Sequence, residues 1–415
     1  MKPKLAEKFW AVILLLVTAG ALKISPPQEI SLNPIGGASV ELFLNILSYI
    51  ILFCFMLSYW KGFLYVGTRS KSQLILLTIV LFSILWSVDV GSTLVYLRGL
   101  IRIYLVAIYL AMRYTLREQM RLVAWTLGIA TILSMIVPLT MPGFGIHTAP
   151  ELKGMWTGIY GHKNQLGYMM AWSAGLFLHL GLSANRYRWL MWVLLGISVQ
   201  LIILSRSTTS LMILCTMGCL LPIYNFVKKT NYKLQIILIT FALMIVISGA
   251  ILVVGNAEII VSASGKDMTF NGRTDLWEYV NIAISERPWL GYGYYAFWDS
   301  SFAIKVRSLY SWASNAHNGF LELLLDLGWV GFLCFAVGLV RFFVMAINRI
   351  VTVAKRAEDY WPMQMLVIIL ILNFSEARLL NPSWNWLMYL TTALSLSVNS
   401  HMNKKQAFLK GVRNE

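Results

Sequence analysis

Apolar runs of nearly twenty residues recur from Phe9 to Val398, separated by short clusters of charged and turn-forming residues. About 20 apolar residues cross the hydrocarbon layer of a bilayer as a helix. The pattern therefore predicts helices near 9–24, 40–58, 73–88, 95–112, 121–139, 165–184, 189–204, 209–227, 234–254, 319–340, 362–375 and 384–398. A membrane β-barrel would instead show short segments of alternating polarity. The expected fold class is an all-α polytopic membrane protein with about 12 transmembrane helices.

Charge orients these spans. Lysines and arginines collect in alternate connections: Lys61, Arg69 and Lys71; Arg113, Arg117 and Arg121; Lys228, Lys229 and Lys233; Arg341 and Arg349. By the positive-inside rule those connections and both termini face the cytoplasm. The same asymmetry accounts for the net charge of +16, so no nucleic-acid partner is needed to explain it. The hydrophobic share of 58% against 13% charged residues excludes a soluble domain. The first span lacks a small-residue cleavage site and reads as an anchor rather than a removed signal peptide. Cys54, Cys215, Cys219 and Cys334 all lie in apolar runs and predict no disulfide framework.

Two outer connections are long, at about 140–164 and 255–318. Long loops in compact bundles usually serve a function. The expected organisation is a transmembrane bundle of nine helices over 1–254, an outer loop over 255–318, and three helices with a cytoplasmic tail over 319–415. Within the loop, Thr274 to Glu286 suits a short amphipathic helix on the membrane surface.

Several polar residues do not belong in such a pattern. Arg98 and Arg102 share one face of a span at i, i+4. Each costs roughly 2.5–3.5 kcal/mol at a helix centre. They suit either a site for a phosphate-bearing lipid, or snorkelling and pairing with Glu41, Asp89 or Glu376. Arg206 occupies an outer turn among Ser205, Ser207 and Thr208, where hydroxyls and helix N–H groups add anion-binding donors, or where it simply anchors the membrane interface. Arg273 precedes a helix start, where phosphate is readily bound, or a salt bridge to Asp275 or Glu278 is made. Arg287 opens Arg287-Pro288-Trp289-Leu290-Gly291-Tyr292-Gly293, whose aromatics suit sugar stacking or a membrane interface. His317, in Ala316-His317-Asn318-Gly319-Phe320-Leu321-Glu322, stands where the loop re-enters the membrane. It can accept a proton near neutral pH, with Glu322 or Asp326 to orient it, or it can be structural. His162, beside Lys163 and Asn164, has the same two readings. His147, His179 and His401 lack supporting context. The outer side has no metal-ligand spacing and the inner side no nucleotide loop. Neither a metal nor another cofactor is expected, and the membrane itself must deliver an activated substrate.

His162-Lys163-Asn164, Ser205-Arg206-Ser207, Gly272-Arg273-Thr274-Asp275-Leu276-Trp277, the Arg287–Gly293 segment and Ala316–Glu322, in that order, resemble the O-antigen ligase and Wzy-type polysaccharide polymerase superfamily. The His-Lys-Asn and Gly-Arg-Thr-Asp-Leu-Trp elements look closer to its ExoQ-like branch. The resemblance implies a GT-C-type glycosyltransferase architecture in a bacterial inner membrane, with the active site on the periplasmic face. It implies an inverting, metal-independent transfer from an undecaprenyl-diphosphate-linked glycan donor to a glycan or lipid A-core acceptor. Arg206 and Arg273 would hold the diphosphate and His317 would be the base. Arg98, Arg102, His162, Lys163, Asn164, Arg287, Asn318 and Glu322 are expected to line the substrate site. The bilayer, and polysaccharide export proteins, are the expected partners. A transporter of lipid-linked oligosaccharide or of an anionic solute is the rival of another class, but no paired internal repeat supports it.

Overall fold

The computed structural model describes residues 5–22, 37–183, 187–227, 234, 273–310, 313–353 and 357–411. The predicted span at 234–254, Lys228, Lys229, Lys233, Gly272 and the first part of the long outer loop lie outside the described residues. The described helices are α1 (Leu5–Thr18), α2 (Gly37–Ser58), α3 (Trp60–Gly67), α4 (Lys71–Phe82), α5 (Val90–Arg113), α6 (Leu116–Thr140), α7 (Lys163–Ser183), α8 (Arg188–Ser205) and α9 (Thr208–Val227). Further along the chain come α10 (Arg273–Glu286), α11 (Ser301–Leu309), α12 (Gly319–Val353), α13 (Ala357–Asn373) and α14 (Trp384–Gly411). The only extended pairing among the described residues is one bridge, Ile146 to Trp156.

Among the described residues, four helices are long and apolar enough to cross a membrane: Val90–Arg113, Leu116–Thr140, Arg188–Ser205 and Gly319–Thr352. The bent pair Ile46–Ser58 and Trp60–Gly67 makes a fifth if it is one span, and three shorter apolar helices accompany them. Burial extends to polar side chains such as Asn385, Thr391 and Ser395 on α14 and Ser173 and His179 on α7.

The chain forms two compact units. The first comprises Met1–Trp60, Tyr109–Gln235 and Arg349–Gln364. Here α7 packs against α6, α8 and α9, and α1 against α6 and α2. Thr115 caps α6 in a reciprocal box with Glu118, which satisfies two of the donors that a helix start leaves open. At the far end of α6, Pro138 lies against the backbone of Gly145, where a Cβ would come within 2.6 Å, so the chain turns back over the helix end. Glu7 accepts two bonds from Arg113, at 2.7 and 2.8 Å, the bidentate geometry that favours arginine.

The second unit comprises Lys61–Ile108, Ile236–Asn348 and Met365–Glu415. Tyr389 of α14 accepts a bond from Gln73 of α4 at 3.2 Å, and Tyr104 of α5 donates to the Gln73 carbonyl at 3.2 Å. Phe335, Phe342, Trp386 and Tyr389 complete an aromatic core. A second apolar cluster holds the outer segments together: Leu276, Val280 and Ala283 of α10 with Phe297, Trp298, Ala303, Ala316 and Leu325. These α10 residues pack against protein segments.

Candidate functional site

The site of the second unit is built around a break in α12. Gly328 has φ 60° and ψ −163°, outside the helical region, which strips neighbouring carbonyls and N–H groups of their helical partners. Such groups cost several kcal/mol each in hydrocarbon if left unmet. The Arg287–Gly293 segment meets them. Tyr292 N–H donates to the Leu325 carbonyl at 2.8 Å and Gly293 N–H to that of Asp326 at 3.0 Å. Trp329 and Val330 N–H donate in turn to the carbonyls of Pro288 and Trp289 at 2.8 and 3.1 Å. The approach requires glycine: a Cβ at Gly328 or Gly291 would come within 2.4 Å of Trp289 or Leu325 backbone. The opposite edge of the segment is held by the connection before α5, through Trp86 Nε1 to the Leu290 carbonyl at 2.8 Å and Val88 N–H to that of Tyr292 at 2.9 Å. Arg287 lies over the Tyr292 ring at 4.9 Å. Of the two aromatics in this segment, Trp289 is exposed, whereas Tyr292 is buried in the apolar cluster around α10.

The turn before α12 presents His317 with φ 48°, a left-handed conformation that is uncommon outside glycine. Its N–H donates to Asn315 Oδ1 at 2.8 Å. Asn318 Oδ1 accepts from the N–H groups of Phe320 and Leu321 at 2.9 and 3.2 Å, so its side chain caps α12. Glu322 is buried beneath the turn. One carboxylate oxygen accepts from Ala316 N–H at 2.7 Å and the other from the Trp298 indole at 2.8 Å. The Ala316 carbonyl accepts from the Trp277 indole at 2.8 Å. The residue before His317 is thus gripped from α10 on one side and α12 on the other. Asn318 and Glu322, read from the sequence as substrate contacts, direct these side-chain oxygens at the protein.

Trp277 lies one turn along α10 from Arg273, and Arg273 Nη1 donates to the Ser375 carbonyl at 2.7 Å. Burial pushes this guanidinium below its ordinary value, while the carboxylate of Glu376 opposes the shift. Glu376 also contacts Arg378 Nη2 at 3.6 Å. Arg378 N–H donates to Asn373 Oδ1 at 2.8 Å, and Gly319, two residues after His317, lies so close to Asn373 that a Cβ would reach 2.1 Å. The segment between α13 and α14 is fixed further by Tyr294 OH donating to the Leu380 carbonyl at 2.7 Å, and by Asn381 donating to Tyr295 OH at 2.5 Å. Leu380 and Tyr295 share the left-handed conformation of His317, with φ 53° and 56°. Strained residues gather at functional sites, and these three belong to neighbouring segments of one unit.

Tyr295 stacks on Tyr96 of α5 with ring centres 4.0 Å apart, and its N–H donates to buried Asp326 at 3.0 Å. Burial and the carboxylates of Glu322 and Asp326 push its phenol upward, so Tyr295 stays protonated at neutral pH. Two and six residues beyond Tyr96, Arg98 is exposed and Arg102 half-buried. Gly99 between them abuts Pro382. Two of the anions considered as their partners have other duties: Asp89 caps α5 through Gly91 and Ser92 N–H, and Glu376 contacts Arg378. The side chain of Glu41 lies outside the described residues.

In the first unit, Arg206 ends α8 with φ 50°, and its side chain is exposed. Buried Ser207 and Ser210 bond each other at 2.9 Å and leave space only for Gly167 of α7. This packs the start of α7 against the Arg206 turn. That start is capped twice by histidine: His162 Nδ1 accepts from Asn164 N–H and His147 Nε2 from Lys163 N–H, both at 3.2 Å. The two rings meet edge to face at 5.3 Å. The His-Lys-Asn element and Arg206 are therefore neighbours, as are Arg273, His317 and Glu322 in the second unit. His147, Trp277, Trp298, Tyr295 and Arg378 were not among the residues singled out as site candidates.

Residues 190–336 match the family model Wzy_C, described as O-Antigen ligase. That match spans about a third of the chain. That match contains Arg206, Arg273, Arg287, His317, Asn318 and Glu322. The exopolysaccharide production protein ExoQ of Rhizobium meliloti (strain 1021) is 28% identical over 150 residues, covering 34% of this chain and 34% of that protein. The chain therefore matches about a third of this relative's length. Both findings support the O-antigen ligase and Wzy-type superfamily and its ExoQ-like branch, as the motifs imply.

Proposed function

We propose that this chain is a multi-pass glycosyltransferase that polymerises undecaprenyl-diphosphate-linked oligosaccharide repeat units into exopolysaccharide or O-antigen on the periplasmic face of a bacterial inner membrane. About twelve spans in a GT-C arrangement, with cytoplasmic termini, belong to the same proposal. The observation that supports it is the grip on the His317 turn from α10, the helix that begins at the desolvated Arg273. The printed name of the exopolysaccharide relative supports a polymer as product.

In this mechanism an acceptor hydroxyl attacks the anomeric carbon, the bond to the diphosphate oxygen breaks, and configuration inverts without a metal. His317 takes the hydroxyl proton. General-base assistance contributes about 10²–10⁴ in rate, so charge stabilisation on the leaving diphosphate must contribute much of the rest. Arg273 takes that role, and Arg206 takes it on the resemblance alone. Arg98 and Arg102 form an additional anion layer. Polysaccharide export proteins would receive the product.

Transfer of the glycan to lipid A-core is the second reading, favoured by the description of the matching family. Purified chain incubated with a lipid-linked repeat unit, with and without lipid A-core, separates the two. A ladder without added acceptor means polymerase, and a single transfer onto the core means ligase. His317→Ala should form neither product, and wild-type yield from that variant would remove His317 from the mechanism.

A further inference from the structure

We infer that Tyr96 and Tyr295 form a glycan subsite, in which the open face of Tyr96 carries a sugar ring and Asp299 and Asn381 take its hydroxyls. This deepens the proposed function by naming where the glycan rests, and it depends on that reading for the glycan being a polysaccharide chain. Ser92, Tyr96 and Gly99 lie at i, i+4 and i+7, so they share one face of α5. Each meets an outer segment of the second unit. Ser92 Oγ donates to Asp299 Oδ2 at 2.7 Å, Tyr96 stacks on Tyr295 with ring centres 4.0 Å apart, and a Cβ on Gly99 would come within 2.9 Å of Pro382. That face of α5 is turned toward protein, yet Tyr96 in its middle keeps 40% exposure. With its plane 17° from that of Tyr295, one side of the Tyr96 ring is covered and the exposure belongs to the other side and the edge. Tyr295 is a rigid floor beneath it. Its φ of 56° is left-handed, Asp326 accepts its N–H at 3.0 Å, and Asn381 donates to its phenol at 2.5 Å. A residue in that conformation persists only where its surroundings over-determine it, and these two bonds do so. The rim is polar: Asp299 is exposed, and Asn381, having spent its Nδ2 on the phenol, keeps its Oδ1 as an acceptor. A flat ring bordered by a carboxylate and an amide matches a pyranose, which offers an apolar C–H face and a belt of hydroxyls; a lipid chain needs no such border. Asp326 follows Glu322 by one turn of α12, and Glu322 holds the residue before His317, so the platform is tied to the proton acceptor through that helix.

The test uses full-length chain in nanodiscs and, as probe, lipid-free oligosaccharide fragments of the source strain's own exopolysaccharide, with binding followed by saturation-transfer NMR and calorimetry. Saturating the aromatic protons of the chain should mark the C–H protons of the sugar, and a wild-type chain that binds no fragment overturns the inference. Tyr96→Leu keeps an apolar side chain against Tyr295 and loses the flat face, so it should weaken binding roughly 2- to 10-fold, the range of an aromatic contact. Tyr96→Phe, which keeps the ring, should restore it. Asp299→Ala, at an exposed position, should weaken binding by a similar factor and serves if the leucine variant does not fold. Wild-type affinity in Tyr96→Leu, or in Asp299→Ala where it stands in, makes Tyr96 an interface anchor and overturns the inference. Fragments displaced by a polyprenyl-diphosphate-linked repeat unit would assign the subsite to the sugars of the donor, and fragments retained beside it to the acceptor chain; either result keeps the sugar. Fragment binding by a wild-type chain that makes no polymer would keep the subsite and reject the glycosyltransferase reading. A product ladder from a wild-type chain that binds no fragment would leave that reading standing without the subsite.

Discussion

The indole N–H of Trp277 donates to the carbonyl oxygen of Ala316 at 2.8 Å, across 39 positions of sequence. This one bond couples the helix that begins at Arg273 to the turn that presents His317. Trp277→Phe keeps most of the ring and removes the bond. An unmet buried carbonyl costs about 1–3 kcal/mol, and each ~1.4 kcal/mol of lost alignment is about tenfold in rate. Product formation should fall roughly tenfold or more, with a drop of only a few degrees in the thermal melt. An unchanged yield would mean that the turn holds its position without α10.

Glu322 uses both carboxylate oxygens as acceptors, for Ala316 N–H and the Trp298 indole. An amide of the same shape has one acceptor, so Glu322→Gln must set a donor against a donor. A loss of about 1–3 kcal/mol in stability is expected, read as a lower melting temperature in detergent. A variant as stable as the wild type would show that the turn relaxes around the amide.

Gly328→Ala meets two obstacles: a backbone conformation almost confined to glycine, and Trp289 backbone within 2.4 Å of the new Cβ. Together these should cost about 3 kcal/mol or more and abolish recovery of monodisperse protein. Gly143→Ala, with open space around it, should be neutral in the same assay. Equal behaviour of the two variants would refute the close approach at the break.

His147 caps α7 through Lys163, and His147→Ala should cost about 1 kcal/mol in stability, the usual worth of an N-cap. Thermal melting measures it directly. A larger loss would point to the His147–His162 ring contact as a second contribution.

Most helix positions were legible because a bilayer demands long apolar runs, and α5, α6, α8 and α12 supply them. The break in α12 was not, because leucines and aromatics continue on both sides of Gly328 and a lone glycine in a membrane helix carries no stop signal. For the same reason the glycines of the Arg287–Gly293 segment read as loop punctuation rather than as room for another backbone. His147 carried no supporting context in the sequence because its partner is 16 positions away.

The pairing of Pro288–Gly293 with the broken turn of α12 sets a rule for length variation. Four backbone bonds run between the two stretches in fixed order, so one residue inserted between Pro288 and Gly293 would shift the partners on one side of the insertion out of step at once. Lengthening the exposed part of α11 would leave that order untouched. Relatives that keep this break should therefore tolerate insertions on the solvent side of the outer loop and keep the spacing of the Pro288–Gly293 stretch constant.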